Sequence, residues 1–106
     1  MAGSRINRGE VWLVDLGMAA KARPVVILSV EYLDEERALV SYVPRITSVR
    51  GTRFEVMHEA RGFMEGAFDA QSIGTLPAVK FLRRISTLDS STLAKVEEAI
   101  RLWLAL

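Results

Sequence analysis

Apolar and polar positions along this chain fall into short runs, and the runs predict a β-rich fold closed by one helix. Residues 9–16 read as a first strand, with Val11, Trp12, Leu13, Val14 and Leu16 as its apolar content. Residues 17–22 connect it to a second strand over 24–29, where Val25, Val26, Ile27 and Leu28 run unbroken. Pro24 has no amide hydrogen and disfavours helix at Arg23, so a cation stands where the chain enters a sheet. Residues 31–37 form a polar or short helical turn.

The third strand, 38–47, is the best patterned. Leu39, Ser41, Val43, Arg45 and Thr47 share one face, and Val40, Tyr42, Pro44 and Ile46 the other. Pro44 cannot donate to a ladder, which predicts an edge or a bulge at that end. Val49, Arg50 and Gly51 turn the chain into a fourth strand, 52–58, with Phe54 and Val56 on one face. After a loop over 59–66 come a weaker strand (67–73), a single helical turn (77–81) and a short last strand (82–86). The period then changes. Leu93, Val96, Ile100 and Trp103 form a stripe at helical spacing over 91–104, opposite Lys95, Glu97, Glu98 and Arg101, with Asp89 or Ser90 as N-cap. The pattern predicts one mainly β domain over residues 1–106, with about five to six short strands and a C-terminal helix.

Composition narrows the function classes. Of 106 residues, half are apolar and a quarter charged, a globular balance. No apolar stretch reaches the roughly 18–20 residues needed to span a bilayer, and no apolar core follows Met1–Arg5, so neither a membrane partner nor a secretory signal is expected. The absence of cysteine excludes disulfides and thiolate chemistry and fits a cytoplasmic protein. The net charge is only +1, but Arg45, Arg50 and Arg53 cluster, as do Lys80, Arg83 and Arg84. Such clusters are either solvated surface or a binding face.

The available chemistry is limited. The chain has one histidine, His58, so a two-histidine ribonuclease mechanism cannot be assembled within it, and the flanking Met57 and Glu59 suggest a surface residue. No set of His, Asp and Glu has metal-ligand spacing, and no nucleophile elbow or phosphate-binding glycine loop is present. What remains is arginine, threonine, serine and glutamine near strand ends. That set suits binding a phosphodiester and stabilising charge that develops on it, as in metal-free RNA cleavage where the 2′-hydroxyl supplies the nucleophile. A strand-entry arginine is also a common way to begin a strand, and strand-end hydroxyls commonly only hydrogen-bond the backbone.

The order of motifs is more specific than any one of them. Arg8-Gly9-Glu10-Val11-Trp12-Leu13-Val14-Asp15-Leu16 and Arg23-Pro24-Val25-Val26-Ile27-Leu28-Ser29 resemble the first two strands of MazF/PemK-type toxins. Val43-Pro44, Thr47-Ser48, Arg50-Gly51 and Phe54-Glu55-Val56 resemble the third strand, its loop and the fourth, and residues 69–76 and the closing helix follow in order. The resemblance implies an SH3-like β-barrel with a C-terminal helix. It also implies a homodimeric toxin of a type II toxin–antitoxin pair. The implied activity is cofactor-free, metal-independent and sequence-selective cleavage of single-stranded RNA, with a cognate antitoxin whose disordered tail blocks the RNA groove.

Transferred onto this sequence, the resemblance implies Arg23 as the catalytic arginine, holding the scissile phosphate. The catalytic threonine falls on Ile46 by a gapless count from Val43-Pro44, or on Thr47 if one residue bulges near Pro44; Thr47 is the expected residue. Arg45, Ser48, Arg50 and Arg53 would follow the RNA backbone, and Gln71 and Ser72 would position phosphate or base edges. The chain departs from the family pattern in three places. Its 17–22 loop is short and has no glutamate, Gln71–Thr75 lacks the two charges of the corresponding family segment, and Met18, Ala19 and Ala20 replace polar residues. Those apolar residues suit a dimer or antitoxin contact. Two other functions fit the same fold: a gyrase-poisoning toxin like CcdB, whose activity resides in a Trp-containing C-terminal tail, and a non-catalytic module that binds nucleic acid or antitoxin. Trp103 continues the helix stripe and is expected in the core; its burial would count against the gyrase reading.

Overall fold

The structure, a computed structural model, describes residues 6–17 and 22–106. Among them are seven antiparallel strands: β1 Glu10–Val14, β2 Arg23–Ile27, β3 Leu39–Ile46, β4 Glu55–His58, β5 Gly66–Asp69, β6 Gly74–Pro77 and β7 Phe81–Thr87. One helix, α1 Ser90–Leu104, follows. Short 3₁₀ turns occupy Ala70–Ser72 and Ala78–Lys80. No described helix is long and apolar enough to cross a membrane.

The strands order as β4-β5-β3-β2-β1-β7, and β6 also pairs with β3. β3 is the pivot. One side of it pairs with β2, while the other pairs first with β6 (Leu39↔Pro77 to Tyr42↔Gly74) and then with β5 (Arg45↔Phe68, Ile46↔Ala67). Pro44 lies where the partner changes, so its missing N–H leaves no ladder bond unmade. The expectation that Pro44 marks an edge is therefore corrected: it sits in a central strand, at a changeover of partners.

The sheet curls into an open barrel. Tyr42 on β3 meets Phe81 on β7 edge to face at 6.0 Å, although two strands separate them in the sheet order. Their contact belongs to a core of Ile6, Val14, Val25, Ile27 and Val40. The opposite face carries Val11, Val26, Val43, Val56 and Phe68 against Val96, Ala99 and Ile100 of α1. β2 and β3 are thus buried on both faces, which is why 25–28 reads as an unbroken apolar run. The alternation predicted for β3 holds, with Val43 in one core and Val40 and Tyr42 in the other.

The helix begins as predicted. The Asp89 carboxylate accepts from the Thr92 N–H at 3.0 Å and from the hydroxyls of Ser91 and Thr92, which pulls its pKa down to about 2. Arg8, from the first motif, donates to the Leu28 carbonyl and to Glu97 of α1, tying the N-terminal segment to the helix. Predicted strands shift at their ends and one strand is added; the fourth begins at Glu55 rather than at residue 52. The fifth strand stops at Asp69 and gives way to a 3₁₀ turn, 74–77 forms an additional strand, and the last strand runs through Thr87. Trp103 is also corrected. It is 41% exposed, with an edge contact to Phe54 at 5.3 Å, while Ala99 and Ile100 of the same helix are buried.

Candidate functional site

Arg23 opens β2, and its register explains its setting. Val14 of β1 stands opposite it, and continuing the β2–β3 register from Val25↔Pro44 carries Arg23 abreast of Ile46. Side chains two apart share a face, so Arg23 lies on the face of Val25 and Ile27, together with Tyr42 of β3. A cleft of about 390 Å³ opens there, lined by Leu16, Arg23, Tyr42, Pro44, Arg45, Ile46, Thr47, Ser48 and Ser72. Arg23 itself is exposed. Residues distant in sequence therefore bring one guanidinium and several hydroxyls to one concave surface.

Five of the expected site residues line this cleft, Arg23, Arg45, Thr47, Ser48 and Ser72, and all but the buried Arg45 are exposed there. Ser72 is held by the 3₁₀ turn, where its hydroxyl donates to Asp69 at 2.8 Å while the Gln71 N–H donates to the other carboxylate oxygen at 3.2 Å. Gln71 is exposed beside the cleft and does not line it. Arg50 and Arg53 are carried on a turn built by Glu55, whose carboxylate accepts from the Arg50 N–H at 3.1 Å and the Thr52 N–H at 2.9 Å. Those bonds, Thr52's first, lower the Glu55 pKa against the opposing effect of burial. The Arg53 guanidinium lies over the Phe54 ring at 4.7 Å, in a groove between β4 and α1. Met18, Ala19 and Ala20 lie outside the described residues.

Two expectations fail for one reason. Arg45 was expected on the RNA-facing surface and His58 on the surface of β4; they are 6% and 9% exposed and bonded to each other. Arg45 donates through Nε to His58 Nδ1 at 2.9 Å and through Nη2 to the His58 carbonyl at 2.6 Å, and its guanidinium lies over Phe63 at 4.8 Å. The face of Val43 and Arg45 points into the helix-side core, so the cation had to be paired inside. Burial first, and then the Arg45 charge, lower the His58 pKa, with Asp89 opposing; burial also lowers that of Arg45. The neutral imidazole is the form that can accept at Nδ1. Thr47 does not share the inward face of Arg45 as expected: the strand ends at Ile46, the alternation stops, and Thr47 is exposed at the cleft.

The sequence reading did not place Tyr42 in the site. The signal was available, since Tyr42 stands four residues before Ile46 on the same face of the strand.

A comparison with curated protein sequences gave no significant match. Solved structures match closely. The Mycobacterium tuberculosis toxin MazF-mt6 is 28% identical, with a TM-score of 0.79 over 92% of this chain and 97% of its own. A structure described as an endoribonuclease in complex with its cognate antitoxin, from a mycobacterial species, is 26% identical, with a TM-score of 0.80 over 94% and 95%. MazF in a MazE–MazF complex from Deinococcus radiodurans has the same fold at 19% identity, with a TM-score of 0.79 over 94% and 95%. The sequence profile of one family, described as PemK-like, MazF-like toxin of type II toxin–antitoxin system, matches residues 7–104. With the motif order, the curled sheet and the arginine cleft in agreement, the chain belongs to the MazF/PemK toxins of type II toxin–antitoxin systems.

Proposed function

We propose that this toxin is an endoribonuclease that cleaves single-stranded RNA without a metal, selectively by sequence, in the cleft at the start of β2. The observation that carries the reading is Arg23, exposed in the same concavity as Thr47, Ser48 and Ser72. In single-stranded RNA the 2′-hydroxyl can swing into line with the adjacent phosphorus. Its attack forms a 2′,3′-cyclic phosphate and breaks the bond to the 5′-oxygen. The protein's part is to fix the phosphate and to stabilise the charge that builds on it. Arg23 offers a planar fork of donors to two phosphate oxygens, and Thr47 and Ser72 offer hydroxyl donors beside it. Ser48, Arg50 and Arg53 extend the contact along the backbone, Gln71 reaches a neighbouring base or phosphate, and Arg45 braces the site from within.

The toxin acts in the cytoplasm as a homodimer and is neutralised by a cognate antitoxin. The groove between β4 and α1 suits such a protein partner, because exposed Met57 and Leu102 lie there among Arg53, Lys95 and Glu98. The similar mycobacterial endoribonuclease in complex with its cognate antitoxin supports this reading. Incubation of the purified protein with a long single-stranded RNA in EDTA tests the activity: discrete fragments are expected from wild type and none from Arg23→Ala. Intact RNA in both lanes would leave a non-catalytic binding module. The exposure of Trp103 keeps one alternative in play, a CcdB-like gyrase poison. In that case growth arrest would survive Arg23→Ala and be lost with Trp103→Ala.

A further inference from the structure

Tyr42 is buried nearly throughout, at 9% exposure, yet it lines the Arg23 cleft. Its ring cannot stack on a base, because one edge packs on Phe81 at 6.0 Å and Gly74 is its register partner across the β3–β6 ladder. The fit over Gly74 is close: a Cβ there would stand 2.6 Å from the Tyr42 hydroxyl oxygen and 2.8 Å from Cζ. Glycine at 74 is therefore required by the phenol rather than by a turn. Among the described residues the hydroxyl has no hydrogen-bond partner, and no buried side-chain polar atom is left unsatisfied. The oxygen is therefore open to solvent, and Tyr42 is among the residues that line the cleft. The ring is held by its packing on Phe81 and over Gly74.

We propose that the Tyr42 hydroxyl is a further catalytic donor, hydrogen-bonding a non-bridging oxygen of the phosphodiester held by Arg23. The assignment rests on the endoribonuclease reading above. Arg23 lies on the same sheet face as Tyr42, at the end of the neighbouring strand, and both residues line the one cleft. Burial raises the phenol pKa above 10, so at neutral pH the group is a protonated donor and not a base. A donor held in place before substrate arrives needs no reorganisation during reaction, and removal of one such donor costs about 10²-fold in rate.

Tyr42→Phe keeps the ring and removes only the oxygen. Its melting temperature is expected to match wild type, while single-turnover cleavage of a labelled RNA falls about 10²-fold. A phosphorothioate at the scissile position supplies a readout that a structural role would not move. Sulfur accepts hydrogen bonds poorly, so for one of the two diastereomers the gap between wild type and Tyr42→Phe should shrink towards unity. Equal rates for wild type and Tyr42→Phe on ordinary RNA, or a gap unchanged by sulfur in both diastereomers, would overturn the assignment and leave the ribonuclease reading standing. A wild type that cleaves no RNA would instead refute both.

Discussion

At the scale of single residues, the site joins one cation to several hydroxyls, and the threonine position can be resolved chemically. Ile46 and Thr47 both line the cleft, but only Thr47 offers a hydroxyl. Thr47→Val, which keeps the side-chain shape, is expected to lower the cleavage rate about 10- to 10²-fold, with Ile46→Val near wild type. The reverse order in single-turnover assays would move the role to the position of Ile46. The Arg45–His58 pair makes a second residue-scale prediction. His58 has its pKa lowered in the folded state by burial and Arg45, so below the ordinary value of 6.5 the unfolded chain binds a proton that the folded chain resists. The pair's contribution is complete above that window and is lost as pH falls through it. Melting temperature should decline from pH 7 to pH 5, and the decline should flatten in His58→Asn, which keeps an acceptor near Nδ1 but does not titrate there.

At the scale of elements, β3 links core and cleft. Its middle is buried on both faces, its inward Arg45 is paired, and Thr47, the residue after its end, carries a hydroxyl into the cleft of Arg23. Gly66 protects that end, since a Cβ there would lie 2.4 Å from the Ile46 carbonyl and 2.7 Å from Arg45 Nη1. Gly66→Ala is expected to destabilise the fold by about 1–3 kcal/mol in urea titration, through overpacking against backbone that cannot yield. An unchanged midpoint would show that β5 can slide away from β3. The sequence was informative where a local rule sufficed. The run 25–28, the alternation along β3 and the Asp89 cap each follow from local sequence, and each appears in the structure. It was least informative where partners are distant. His58 looked superficial because Arg45 lies on another strand, and Pro44 looked like an edge because a mid-strand change of partner has no local signature. Tyr42 was legible only as a residue on the face of Ile46, and β6, four residues without strong alternation, is defined by its pairing with β3.

At the scale of the whole molecule, curling the sheet sets the start of β2, the end of β3 and the 3₁₀ turn at 70–72 around one cleft, while α1 covers the opposite core. The sequence of residues 17–22 has no acid, so in the proposed reaction rate enhancement would come mainly from holding and neutralising the phosphate. That places the central claim on Arg23. The most direct measurement is the single-turnover rate of cleavage of a labelled single-stranded RNA in EDTA, compared among wild type, Arg23→Lys and Arg23→Ala. We expect Arg23→Ala to lose about 10²- to 10³-fold or more, with lysine restoring only part, because a point charge lacks the guanidinium fork. Equal rates for wild type and Arg23→Ala would contradict the account.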